Sequence, residues 1–81
     1  MITVTEDWAQ VTLMAGTYTA IQNQTVNEIR VYVGASIPNA GEVKGFQLGR
    51  NDVFDFTHDG RLMFVRASNL SGVENSVAEV M

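Results

Sequence analysis

The chain has 81 residues, enough for one small core and too few for two that would fold alone. Apolar residues make up 46% and charged residues 17%, the balance of a globular chain rather than a disordered one. Nine acids against five bases leave a net charge of −4, which argues against a generic nucleic-acid binder; the lack of cysteine removes disulfides and thiol chemistry, and the single histidine removes any two-histidine site.

The residue choice predicts an all-β fold, a small antiparallel β-sandwich or jelly-roll-like barrel of seven to eight short strands. Val and Thr are abundant, and no apolar stripe keeps a helical period. Turn signals recur about every ten residues. The first ten residues carry no basic leader and no apolar run of signal length, which predicts synthesis in the cytosol. The longest wholly apolar run is the four residues Leu62 to Val65, far short of a membrane span.

In chain order, Ile2 to Thr5 is a short terminal strand. Trp8 to Met14 alternates, with Trp8, Gln10, Thr12 and Met14 on one side and Ala9, Val11 and Leu13 on the other. Tyr18 to Gln22 follows Gly16. Glu28 to Gly34 is the clearest strand, with Ile29, Val31 and Val33 on one face and Arg30 and Tyr32 on the other. Val43 to Leu48 is interrupted by Gly45. Val53 to Thr57 and Arg61 to Ala67 read as a hairpin. Either Asp59-Gly60 is a two-residue type I′ turn, or His58-Asp59-Gly60 is a three-residue loop. The longer loop is favoured. It pairs Phe54 with Phe64, Phe56 with Leu62, and Asp52 with Arg66. Val73 to Val80 is an eighth element, whose Val73, Val77 and Val80 fit neither period. The predicted core joins Ile29, Val31 and Val33 to Phe54 and Phe56, with Leu62, Phe64, Val11 and Leu13 around them. The chain reads as one domain, 1–81, with 1–7 and 72–81 as arms that reach neighbours.

The candidate catalytic residues form no complete pattern in the sequence. Asp52, Asp55 and Asp59 are close in sequence, but Asp55 points away from the Phe54 and Phe56 face, and Asp59 belongs to a turn; glycosidase chemistry needs two carboxyls across a cleft. His58 beside Asp59 is half a dyad without a nucleophile elbow, and Ser36, Ser68, Ser71 and Ser76 are scattered. The acidic spacing is not that of a calcium loop, and Gly34, Gly41, Gly45 and Gly49 form no phosphate-binding motif. Arg30, Arg61 and Arg66 lie among aromatics, a pattern that single strands use, but the negative charge favours packing and surface ion pairs. Trp8 is a plug at one end of the core, an interface anchor or a sugar-stacking platform.

A longer pattern adds to this. GTYTAIQNQ at 16–24 leads into IRVYVGA at 29–35, then a PNAG loop at 38–41, the run GFQLG at 45–49, and GRLMFVRAS at 60–68. This order resembles small virion proteins of tailed bacteriophages. The resemblance implies a non-enzymatic structural role, above all a capsid decoration (cement) protein, with a tail, neck or fibre adaptor or receptor-binding module as the alternative. It implies the virion as location, the major capsid protein or other virion proteins as partners, and a homo-oligomer with a trimer favoured. It carries no cofactor, metal, nucleic acid or membrane. Ile2, Val4, Trp8, Val77 and Val80 are the expected interface residues, and removal of residues 1–7 is expected to spare the fold and weaken assembly. A small hydrolase and an acidic partner-blocking regulator are the competing readings.

Overall fold

The computed structural model describes residues 2–5, 7–24, 28–42, 44–67 and 76–80, with residues 2, 3 and 76–80 described by backbone alone. Strands in chain order are β1 (Ile2–Val4), β2 (Ala9–Val11), β3 (Tyr18–Asn23), β4 (Ile29–Gly34), β5 (Phe46–Leu48), β6 (Val53–Thr57), β7 (Leu62–Ala67) and β8 (Ser76–Val80). Six of them, β2 to β7, are described with their side chains. No helix occurs among the described residues, so none is long and apolar enough to cross a membrane.

The strands form two antiparallel sheets. The first has the order β1-β8-β3-β6 and the second β2-β7-β4-β5. A core cluster draws on both. Val4, Ile21 and Phe56 come from the first sheet; Val11, Val31, Val65 and their neighbours come from the second. The period-2 alternation of β4 holds, since Ile29 and Val31 are buried while Arg30 and Tyr32 are half-exposed on the other face.

The expected hairpin is absent. β6 pairs with β3, and β7 lies between β2 and β4, so the two strands belong to different sheets. Phe54 stands opposite Ile21 and Phe56 opposite Thr19, while Phe64 stands opposite Gln10 and Tyr32. The reason lies in the apolar run of β7. Five successive residues, Met63 to Ala67, are buried, which requires cover on both faces and a neighbour on both edges. Gly60, at φ +96°, turns the chain out of β6 and across to the second sheet. The Asp52–Arg66 pair is likewise absent. Asp52 accepts the Gly49 N–H at 2.8 Å, and Arg66 stands opposite Arg30.

β2 is shorter than expected because the chain leaves the sheet after Val11 and the Met14 N–H donates to the Thr19 hydroxyl at 2.9 Å. Leu13, Val33 and Phe54 are only partly buried and pack on the rim of the core. β5 starts directly after Gly45, whose φ of +91° makes the interruption a turn rather than a break within a strand. The segments read as arms carry sheet strands. β1 pairs with β8, which pairs with β3.

A buried asparagine ties the sheets together. Asn23 on β3 donates its side-chain amide to the Leu48 carbonyl of β5 at 3.0 Å. Its backbone bonds Asp52 and Asn51 in the turn that crosses to β6. Asn51 sits in the left-handed region at φ 68°, which Asn tolerates better than most residues. Replacing Asn23 with Ala removes the buried amide that bonds the Leu48 carbonyl, and is expected to cost about 1–3 kcal/mol in urea unfolding. Deleting residues 1–7 removes buried Val4 and the Thr5 carbonyl that accepts the Ala67 N–H at 2.7 Å. Contrary to the arm reading, that deletion is expected to lower the urea midpoint, with about 1.5–3 kcal/mol lost through Val4 alone.

Candidate functional site

β5 and β6 are both edge strands, one in each sheet, and a groove opens between them. At Gly45 the chain presses against β4 so closely that a Cβ there would stand 2.3 Å from the Val31 carbonyl oxygen. Only glycine fits, and the approach sets Phe46 at the lip of the sheet. Phe46 is 59% exposed and reaches across to Phe54 on the other sheet, with ring centroids 4.9 Å apart. The groove has a volume of about 460 Å³, with an apolar floor of Val33, Phe46, Phe54 and Phe56.

Its rim is charged. Asp59 and Arg61 form a surface ion pair at 2.6 Å, with the Arg61 Nε donating to both carboxylate oxygens and its backbone N–H to one. The Arg61 guanidinium lies 5.7 Å from the Phe56 ring centroid. Side-chain and backbone hydrogen bonds from Arg61 hold the Asp59 carboxyl below the usual carboxylate range, and Asp59 in turn raises Arg61. Asp55, the middle residue of β6, also lines the groove.

Asp52, Asp55 and Asp59 do not converge on one site. Asp52 and Asp59 sit beyond opposite ends of a five-residue strand, which spans about 17 Å. No cluster of three metal-binding side chains occurs among the described residues.

His58 follows β6 and makes a contact that the sequence did not reveal. Its Nε2 is 2.7 Å from the Thr19 hydroxyl, and its Nδ1 is 3.1 Å from the Gly16 carbonyl oxygen. A carbonyl only accepts, so the neutral ring carries its proton on Nδ1, and the Thr19 hydroxyl donates to Nε2. This resembles a nucleophile and its base, but Thr19 is fully buried and its oxygen already accepts the Met14 N–H. The group that orients the imidazole is a carbonyl, not a carboxylate. The arrangement ties the β2–β3 loop to the end of β6. Partners 39 residues apart leave no local sequence signal.

Trp8 is 8% exposed and donates its indole N–H to the Glu42 carbonyl at 2.7 Å, so it offers no stacking platform. Val4 is in the core. Ile2 and Val77 lie on the paired strands β1 and β8, and Val80 stands opposite Ile21; the side chains of these three lie outside the described residues, as do Ser68 and Ser71. Exposed large apolar side chains instead include Phe46 and Val53 at the β5 and β6 edges, and Tyr18, Met14 and Ile37.

Comparison of the chain with family models, curated proteins and solved structures finds no match in any of the three.

Two outcomes test this geometry. Replacing Thr19 with Val leaves the Met14 N–H and the imidazole without their partner, and is expected to destabilise by about 1–3 kcal/mol in urea unfolding. Asp59 titrates lower folded than unfolded, so its contribution is complete above the ordinary carboxylate pKa and fades as pH falls through the lowered value. NMR titration of the Asp59 carboxyl should show the lowered midpoint, and Arg61→Gln should return it to the ordinary range.

Proposed function

We propose that the chain is a non-enzymatic docking module, a small β-sandwich that binds a larger protein surface in many copies. The observation that carries this reading is the groove between β5 and β6. Its aromatic floor is open at one lip, where Phe46 is more than half exposed. Apolar surface rimmed by polar groups marks contact sites in small proteins. The sandwich form is supported by the core cluster, to which both sheets contribute. Two sets of polar groups near the groove are engaged with each other, in the Asp59–Arg61 pair and the His58–Thr19 tie, and the remaining carboxylate, Asp55, has no base beside it among the described residues, which favours binding over chemistry.

The setting proposed is the bacteriophage virion, with decoration of the capsid as the role and shell or other virion proteins as partners. This setting rests on the sequence resemblance. A stiff small fold suits it, because many weak contacts on a repeating surface add through effective concentration.

Quantitative mass spectrometry of purified particles from the source tests the proposal. The expected result is this chain at a stoichiometry equal to, or a simple fraction of, the major shell protein. Its absence from the particles would overturn the virion role.

A further inference from the structure

We propose that the β5–β6 groove takes an extended segment of a partner protein, added as a strand along β6, with a basic side chain against Asp55 and an apolar one over Phe46 and Phe54. This rests on the docking reading above and names the chemistry of the occupant.

Three observations carry it. First, among the described residues β6 pairs with β3 on one side only, so alternate residues of Val53–Thr57 turn their N–H and C=O groups away from the sheet. An edge of this kind is a template for strand addition. Second, the apolar floor lies beside that edge, and Phe46 and Phe54 already meet across it at 4.9 Å. Alternate side chains of an added strand would therefore face the floor.

Third, the charge is specific. Asp59 is neutralised by Arg61, whereas Asp55 forms no ion pair with any described residue. Its cross-strand neighbour is Ala20, too short to cover it and unable to pair with it. The unpaired charge on this edge strand is thus one carboxylate, on the face that alternates with Phe54 and Phe56, in a chain of net charge −4. A cation in the added strand would complement both.

The same residue disfavours a second copy as the occupant. Antiparallel pairing of β6 with its own copy across the full strand sets Asp55 directly opposite Asp55, and like charges directly opposite are destabilising. Partner recognition at this edge is therefore heterologous.

The test uses the whole chain, labelled with ¹⁵N, and two capped peptides. One is Lys-Val-Lys-Phe-Lys-Val-Lys, and the other carries Glu at each Lys position. The basic peptide is expected to shift the amides of Val53–Thr57 and Phe46 and to slow hydrogen exchange along β6. The acidic peptide is expected to do neither. Asp55→Asn should weaken the basic peptide about two- to fivefold. Phe46→Ser changes an exposed side chain, so its spectrum should otherwise stay native, while affinity drops by at least about tenfold. Equal binding of both peptides, shifts confined to other strands, or no response to the basic peptide would each overturn the inference. Particle stoichiometry separates the two claims. A chain abundant in virions but silent to the basic peptide would refute this occupant alone, whereas a chain absent from virions that binds the peptide at β6 would refute the virion setting alone.

Discussion

One carbonyl oxygen organises the outer face of the second sheet. The backbone oxygen of Glu42 accepts the indole N–H of Trp8 at 2.7 Å and the Nη1–H of Arg66 at 3.1 Å. Arg66 is fully buried, with its Nε bonded to the Ala67 carbonyl and its guanidinium 5.8 Å from the Trp8 ring centroid. Its Nη2 has no partner among the described residues. A guanidinium held this deep by carbonyls and an aromatic face is costly to desolvate, so the arrangement requires cover from all sides at once. Phe64, beside it on the same face of β7, is nearly fully buried by that same cover. The connection between β4 and β5 supplies part of it. Lys44 lies in the same connection, with its ammonium 4.3 Å from the Tyr32 ring centroid.

The site follows from that connection. Arg66 and Arg30 stand opposite each other on β7 and β4, so two like charges must part. Arg66 turns under the loop, and Arg30 reaches outward to the Gly45 carbonyl and to Gln47. Both therefore grip the same β4–β5 connection, one at Glu42 and one at Gly45. The chain arrives at Gly45 pressed on Val31, which leaves Phe46 at the lip where it meets Phe54. The groove is thus set by a charged clasp on the opposite face of the sheet. A packing defect at Trp8 or Arg66 would loosen the groove without touching it.

Individual strands were legible because their signal is local. The alternation in Glu28 to Gly34, the Phe-x-Phe of β6 and the turn residues around Gly16 and Gly60 mark elements close to their observed bounds. Pairing was not legible. Asp59-Gly60 signals a reversal, but a reversal within one sheet and a crossing between two use the same residues. The contiguous run Leu62 to Val65 held the missing clue, since a strand buried on both faces is central and needs two neighbours. The alternation of Trp8 with Val11 correctly set Trp8 on the opposite side from the core-facing residues. What lay hidden was the second buried layer on that side, because a covered arginine has no pattern that separates it from an exposed one. The groove was concealed for a related reason. Phe54 was expected in the core, and Phe46 attracted no role, because exposure of an aromatic at a sheet edge depends on which strand lies beyond it.

The edges also show how the fold limits its own association. β5 is three residues long, and β6 carries a carboxylate at its centre; short edges and edge charges are both devices against unspecific strand pairing. Placed beside an aromatic floor, the same carboxylate becomes selective rather than merely repulsive. It opposes a second copy and an acidic segment by like charge, and it leaves a basic segment favoured. Affinity from the apolar floor alone would be indiscriminate, and the charge alone would be weak in water. Their juxtaposition on one short strand gives an 81-residue chain a way to choose a neighbour.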